Sequence, residues 1–496
     1  MKVLLCDDVR AADQNAQKLG IPAIVLMEHA AMALADAVFR AQKRYGGRVA
    51  ILCGSGNNGG DGYALARLLW QKQDIQETVF CRQKPDALCE AAKVNAEAVE
   101  KLQIPILCFE QFQPHHFDII VDCLFGTGLN RNLDQDTCEL IYQINQSGGY
   151  IIACDIPSGL CADSGKVMGC AVKAQETITF AAGKLGLYMN AGIEHCGLVR
   201  IADIGIPPLL LQQYSGYTIL DDLLIQSFLP IRKENSHKRS YGNLLLIGAK
   251  KGMYGALLMA AKAALRCGAG LVTMMGDEGL VHNVAAVSEA MCLPYPIQDA
   301  QYFQELLKQY DCVSIGNGLG RDESAMWLVQ QVWLSDRPAV FDGDALYLLG
   351  QWKKRKDRSA PYVLTPHPKE LSYLLGVSTA ELIENPIEAL KLSESAFLNG
   401  AIVMKNSRTL ITDGKRRYLN LSGNHGLATG GSGDVLCGMI IGLMGQIASP
   451  LHSSVCAVYL HGKCADILRE QMAARSILPS DIIEQLPKEL QRFDKY

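Results

Sequence analysis

Apolar positions along this chain fall into blocks that switch between two periods. Residues 48–53, 75–81, 105–109, 117–123 and 149–155 are short apolar runs of strand length. Between and before them, 8–19, 23–44, 60–72, 86–101 and 134–147 carry apolar residues at helical spacing, the first two split by Gly20-Ile21-Pro22. Strand followed by helix in this rhythm predicts a largely parallel sheet covered on both faces. Segments 171–180 and 198–203 read as closing strands. The rhythm stops at Gly205-Ile-Pro-Pro208, and Lys233 to Ser240 is polar and loop-like. A fresh series then opens, with strands expected at 243–248, 270–275, 311–316, 338–342, 361–366 and 401–405. Its helices are expected at 253–268, 300–310, 324–335, 367–376, 385–398, 432–446, 452–472 and 479–490. Asp413-Gly414 between two apolar runs signals a hairpin, hence an antiparallel edge. Two domains are expected, 1–215 and 216–496, as the length of 496 residues also suggests.

Composition narrows the class. At 49% hydrophobic and 20% charged the chain is ordinary globular material. Its net charge is −4 with no long basic run, which argues against nucleic-acid binding. The local basic cluster Lys353 to Lys356 with Arg358 reads as a solvated loop. The 17 cysteines sit largely inside apolar runs (Cys53, Cys123, Cys154, Cys312, Cys437), where a thiol acts as a small hydrophobe, so a reducing, cytoplasmic setting is expected. The apolar run Val435 to Gly445 is too short for a membrane span, and no membrane partner is expected.

Two glycine-rich turns carry the candidate chemistry. The first, Gly54 to Gly62, joins an apolar run to a helical one, the geometry that aims backbone N–H groups at a nucleotide. It matches Gly-x-Gly-x-x-Gly, yet Asp61 stands where a pyrophosphate would approach and would repel it unless a cation intervenes. Asp61 also reads as a helix cap. Asp122 and Asp155, each at the carboxyl end of a predicted strand, are expected to converge with this turn. Asp, Asn and Ser oxygens brought together make a hard-cation site.

With Gly20-Ile-Pro22, Leu26-Met-Glu28, Asn57 to Gly62, Asp122 to Gly128 and Asp155-Ile-Pro-Ser-Gly159, residues 1–215 closely resemble the NAD(P)H-hydrate epimerase family. That family interconverts the R and S forms of NADHX and NADPHX, cofactors hydrated on the nicotinamide ring. The resemblance implies a Rossmann-like three-layer domain. It implies that Asn57, Asn58, Gly59, Gly60, Asp61, Gly126, Thr127, Gly128, Leu129, Asn130, Arg131, Asn132 and Asp155 hold the hydrate. By the same resemblance Asn58, Asp122 and Ser158 bind K+, and Asp155 moves the proton at the carbon bearing the hydroxyl. His29 and Cys161 depart from the family pattern, which usually has Asn and Asp there.

The second turn, Thr429-Gly-Gly-Ser-Gly433-Asp434, opens a helix and offers an anion hole with a carboxylate beside it. An Asp so placed can take the proton of a hydroxyl that attacks a terminal phosphate. Together with Lys238 to Gly242, Gly252 to Ala256, Gly268 to Thr273, Gly316 to Gly320, Asp342 to Leu346, Thr365 to Glu370 and Lys405, it makes residues 225–496 similar to the NAD(P)H-hydrate dehydratase family, a ribokinase-like α/β fold. The similarity implies that Ala256, Gly318, His367 and Asp434 face the hydrate, and that Lys405, Asn406, Ser407, Arg408, Thr409 and Gly433 face the adenine nucleotide. Lys405 to Thr409 departs from the small-residue run usual there; Arg408 either strengthens phosphate contacts or narrows the pocket. ADP going to AMP, with Mg2+ on its phosphates, and a homo-oligomer are expected. The alternative reading is an ATP- or ADP-dependent sugar or vitamin kinase with a Rossmann-like binding domain.

Overall fold

The structure, a computed structural model, describes residues 2–72, 74–82 and 88–494. It divides into two compact units, Lys2–Gly216 and Tyr217 onward.

In the first unit seven strands form one wholly parallel sheet. Its order is Ile106–Cys108, Gln76–Cys81, Arg48–Cys53, Ile119–Cys123, Tyr150–Cys154, Glu176–Phe180, Leu198–Ala202. The apolar runs are continuous because both faces are covered. Val49, Ile51 and Val121 pack on helices Ala23–Tyr45 and Asn57–Leu69, while Ala50, Leu52 and Ile120 face helix Gln135–Asn145 on the other side. The expected helix 86–101 spans Glu90–Lys101; residues 86 and 87 lie outside the described residues. Two short strands escape the apolar pattern: Lys2–Leu4 pairs in parallel with Gly183–Lys184. Of the expected closing strand 171–180 only Glu176–Phe180 is extended. Cys53, Cys123, Cys154, Cys312 and Cys437 are free and buried, as their apolar runs predict, whereas Cys138 and Cys170 form a disulfide with Cα atoms 5.7 Å apart that the sequence reading did not foresee.

The second unit carries a ten-strand sheet. Seven parallel strands run in the order Met291–Pro294, Leu271–Gly276, Asn243–Ile247, Cys312–Ile315, Ala339–Phe341, Tyr362–Leu364, Gly400–Met404. The hairpin Thr409–Thr412 with Arg417–Asn420 follows antiparallel, as the Asp413-Gly414 signal predicts. It is not the edge, however: Tyr217–Ile219 adds in parallel to Arg417–Asn420. Helix Ser432–Met444 packs against helix Tyr254–Arg266 with almost no gap. A Cβ added at Gly438 would lie 2.1 Å from the Ala260 carbonyl oxygen, and one at Gly442 would lie 2.7 Å from that of Ala264.

The basic cluster also differs from its sequence reading. Arg358 is buried, and its guanidinium donates to the carbonyls of Val332 (2.6 Å), Trp333 and Arg337. Arg355 lies over the rings of Trp333 and Phe397. These two side chains pin a loop rather than face solvent. Among the described residues no helix is long and apolar enough to cross a membrane.

Candidate functional sites

In the first unit the chain leaves strand Arg48–Cys53 at Gly54 and enters helix Asn57–Leu69 within three residues. The helix begins before the predicted position 60 because its first turn, Asn57 to Gly60, is polar and gives no periodic signal. The turn is tight enough that a Cβ on Gly59 would lie 1.9 Å from the Gly54 carbonyl oxygen. Asp61 therefore lies inside the helix and is not its cap. Its buried carboxyl sits 3.8 Å from the Cys154 thiol, and burial followed by the charge of Asp155 holds its pKa well above the usual carboxylate range. A carboxyl shifted in this direction carries its charge less readily than a solvated one, which eases the charge conflict read from the sequence.

Asp122 ends strand Ile119–Cys123 fully buried. It accepts from the Ser158 hydroxyl (2.6 Å), the Ser158 amide (2.8 Å) and the Leu124 amide (3.2 Å), and the Phe125 amide donates to Ser158 Oγ (2.9 Å). Asn58 approaches the adjoining loop: its Oδ1 lies 3.3 Å from where a Cβ on Gly126 would stand, and its buried Nδ2 has no partner among the described residues. Burial raises the Asp122 pKa to about 6 against the hydrogen bonds from Ser158 and Leu124, and no basic side chain among the described residues offsets its charge. A buried carboxylate with only neutral neighbours suits a cation, and the oxygen donors of Asn58, Asp122 and Ser158 suit a hard one.

Asp155 follows strand Tyr150–Cys154 in a left-handed conformation, φ +63°. Its Oδ1 accepts from Thr179 Oγ1 (3.0 Å), the Phe180 amide (3.2 Å) and Lys184 Nζ (2.5 Å). Lys184 carries no motif and escaped the sequence reading; it lies on a two-residue strand. Of the remaining expected hydrate contacts, Gly60 is buried against Met27, and Gly126, Thr127 and Leu129 are half-buried. Asn57, Gly128, Asn130, Arg131 and Asn132 are exposed, with Cys89 Sγ donating to Asn57 Oδ1 at 2.9 Å. A cavity of about 280 Å³ opens beside Gly54 and Ser55 and reaches Arg82 and Arg131; Asn58, Asp122 and Asp155 are not in its lining. His29 lies 2.8 Å from the Ile204 carbonyl through Nδ1, and Cys161 donates its amide to Lys166 (2.8 Å), so neither departure enters the Asn58–Asp122–Ser158 cluster.

In the second unit Ala256, Gly318 and Asp434 share one cavity of about 420 Å³ with Gly252, Arg321 and Glu370. Gly318 has φ +63°, and a Cβ there would lie 2.5 Å from the Met253 carbonyl oxygen. Gly431, left-handed at φ +98°, caps helix Ser432–Met444 and turns the first amides of that helix outward. Asp434 sits in the first turn and accepts from Asn317 Nδ2 (2.7 Å). Burial, against that hydrogen bond, raises its pKa to about 6, and Asp342 adds to the rise. This is the range a general base needs at neutral pH.

Asn317 also reaches Asp342 Oδ2 (3.3 Å), and Asp342 in turn accepts from Thr365 Oγ1 (2.5 Å) and Lys405 Nζ (2.7 Å). Burial lowers the Lys405 pKa, but Asp342 and Glu370 outweigh it and hold the ammonium above the usual lysine range. Lys405 lies 3.5 Å from where a Cβ on Gly433 would stand, so its charge borders the glycine turn. His367 lies outside the cavity lining and caps helix Pro368–Leu375, its Nδ1 accepting from the amides of Lys369 (3.1 Å) and Glu370 (3.3 Å). Burial, then Lys405, lowers its pKa, while burial raises that of Glu370 to about 7. Asn406 and Ser407 are exposed, and Thr409 starts a strand. Arg408 donates to the Leu421 carbonyl (2.6 Å). Asn317, Asp342 and Glu370 were absent from the sequence-derived site; their place after strands Cys312–Ile315 and Ala339–Phe341 and in the Thr365 to Glu370 motif is the signal that could have found them. Among the described residues no three His, Cys, Asp or Glu side chains cluster as a metal site.

Comparison with known proteins follows the same division. Residues 244–488 match a family described as NAD(P)H-hydrate dehydratase, and residues 23–186 match one described as YjeF-related protein N-terminus. The chain is 36% identical over 481 residues to the bifunctional NAD(P)H-hydrate repair enzyme Nnr of Coxiella burnetii, covering 96% of this chain and 97% of that one. The enzyme of the same name from Escherichia coli is 34% identical over 490 residues, covering 98% and 93%. A crystal structure of the ADP/ATP-dependent NAD(P)H-hydrate dehydratase from Bacillus subtilis, co-crystallised with ATP and Mg2+, superposes with a TM-score of 0.51 at 31% identity, covering 56% of this chain and 99% of that one. With both of its units matched in order and nearly end to end, the chain belongs to the bifunctional NAD(P)H-hydrate repair enzyme family.

Proposed function

We propose that the first unit epimerises R- and S-NAD(P)HX and that the second dehydrates S-NAD(P)HX to NAD(P)H, with ADP going to AMP and phosphate. The observation that carries this reading is Asp434, a half-buried base in the first turn of helix Ser432–Met444, in one cavity with Ala256 and Gly318. Hydroxide is a poor leaving group and phosphate a good one. Asp434 takes the proton of the hydrate hydroxyl, whose oxygen then attacks the terminal phosphorus as the bond to the leaving AMP oxygen breaks. The lone pair of the ring nitrogen expels inorganic phosphate, and loss of a proton from the neighbouring ring carbon restores the dihydronicotinamide. The amides after Gly431 and the Lys405 ammonium offset charge on the transferred phosphoryl group. The cavity lining carries Asp344, Glu370 and Asp434 against Arg321 alone, which suits a nucleotide arriving with its charge screened by Mg2+. Bound with the phosphates, that ion would supply further charge neutralisation.

In the first unit Asn58, Asp122 and Ser158 would hold K+, which would neutralise the buried Asp122 and orient the Gly126 loop. Asp155 would move the proton at the hydroxyl-bearing carbon. Converting the R form beside a consumer of the S form lets one chain repair a mixture. A small-molecule kinase with an appended binding domain is not favoured, because the relatives match both units. The test is regeneration of NAD(P)H from mixed hydrate epimers with ADP or ATP. Full recovery of both epimers is expected; recovery of neither, or appearance of a phosphorylated sugar or vitamin instead, would overturn the proposal.

A further inference from the structure

We infer that Lys184 is a positioning residue of the first site: its buried ammonium holds the Asp155 carboxylate turned so that one oxygen, Oδ2, is left for the hydrate. The inference rests on the epimerase reading of this unit. The side chain of Lys184 is 1% exposed, so it cannot reach a ligand itself. Its three protons are all taken: Asp155 Oδ1 (2.5 Å), Thr179 Oγ1 (2.9 Å) and the Phe180 carbonyl (2.9 Å). An ammonium buried this deeply needs an anion, and Asp155 supplies it. All three donors to Asp155, from Thr179, Phe180 and Lys184, converge on Oδ1. Oδ2 has no donor among the described residues, and the side chain is 14% exposed. The carboxylate is thus gripped by one oxygen and open by the other.

The grip is built from several elements. Gly183–Lys184 pairs with Lys2–Leu4, which sets the lysine backbone, and the left-handed turn at Asp155 directs the carboxylate back toward strand Glu176–Phe180. Titratable groups beside the pair include Asp61, Cys154 and Cys6, all shifted upward first by burial. Among the described residues Lys184 is the cation whose charge bears on Asp61 and Cys6.

The experiment uses the full chain, whose second unit is an internal control. Lys184→Met is expected to lower epimerase kcat about 100-fold with KM for the R-hydrate little changed. Dehydration of S-hydrate should be unaltered. If Lys184→Met folds poorly, the double variant Lys184→Met/Asp155→Asn removes both buried charges; it should recover the melting temperature without recovering epimerisation. Thr179→Val keeps both charges but removes a hydroxyl that bonds each of them, and should cost about 10-fold in kcat. Unchanged kcat in Lys184→Met, alongside loss in Asp155→Asn, would overturn the inference alone. Undiminished epimerisation in Asp155→Asn would overturn the reading of the site and the inference with it.

Discussion

Replacing Asp434 by Asn should make the second unit more stable and nearly inactive at once. Asn keeps the shape and the oxygen that accepts from Asn317 Nδ2 at 2.7 Å. What it removes is a carboxylate whose pKa burial has raised from 3.8 to about 6. A rise of roughly two units corresponds to about 3 kcal/mol at most of destabilisation of the ionised form. The sign follows from linkage: a raised carboxylate pKa means the native state binds the proton more tightly. The penalty is therefore absent below the unfolded value, grows as pH rises, and is fully present above about 6. Asp434→Asn should melt a few degrees higher than the parent at neutral pH, with the gain fading toward pH 4. Catalytically the base is gone, and general-base loss costs about 100- to 10,000-fold. The assay is single-turnover recovery of dihydronicotinamide absorbance from S-hydrate with ADP, run beside epimerisation of the R-hydrate by the same preparation. Dehydration should collapse while epimerisation is untouched. Dehydration retained within about tenfold would refute the base assignment. A lower melting temperature at neutral pH would refute the electrostatic argument.

Three further outcomes follow. Epimerase activity and melting temperature of the first unit should rise with K+ over a bulky organic cation, most strongly above pH 6 where Asp122 is charged; an equal response to both cations would count against the Asn58–Asp122–Ser158 site. Gly433→Ala should fold normally, since its Cβ would meet Lys405 Nζ at an ordinary 3.5 Å, yet raise KM for ADP about tenfold or more by filling the phosphate approach; titration with ADP checks it. Gly318→Ala should lose stability by about 1–3 kcal/mol, from φ +63° and a Cβ 2.5 Å from the Met253 carbonyl, read by denaturant unfolding.

Long apolar segments were legible in the sequence because burial imposes a period on them. Most parallel strands of both units and helices such as Ala23–Tyr45 and Tyr254–Arg266 lie within a few residues of expectation, while the four-residue strand Met291–Pro294 was not expected. Segments held by polar contacts or by very short pairings were not. Lys2–Leu4, Gly183–Lys184 and Tyr217–Ile219 are two or three residues long, too brief for any period to register. Helix Asn57–Leu69 starts early because polar residues fill its first turn. Asp122, Asp155 and Asp434 were legible because strand ends and glycine turns mark where side chains gather. Lys184, Asn317 and the inward turn of Arg358 were not, since only three-dimensional neighbours distinguish a buried cation or amide from a solvated one.

The contact of Gly438 and Gly442 with Ala260 and Ala264 works like a calliper. One jaw bears the glycine turn before Asp434, the other the Gly255-Ala256 wall, and backbone touching backbone leaves no slack at the hinge end. A methyl group introduced at either glycine would act as a shim, widening the gap between the Asp434 turn and the Ala256 wall across which the proposed reaction runs. Reactivity in this unit is thereby exposed to substitutions that touch neither substrate.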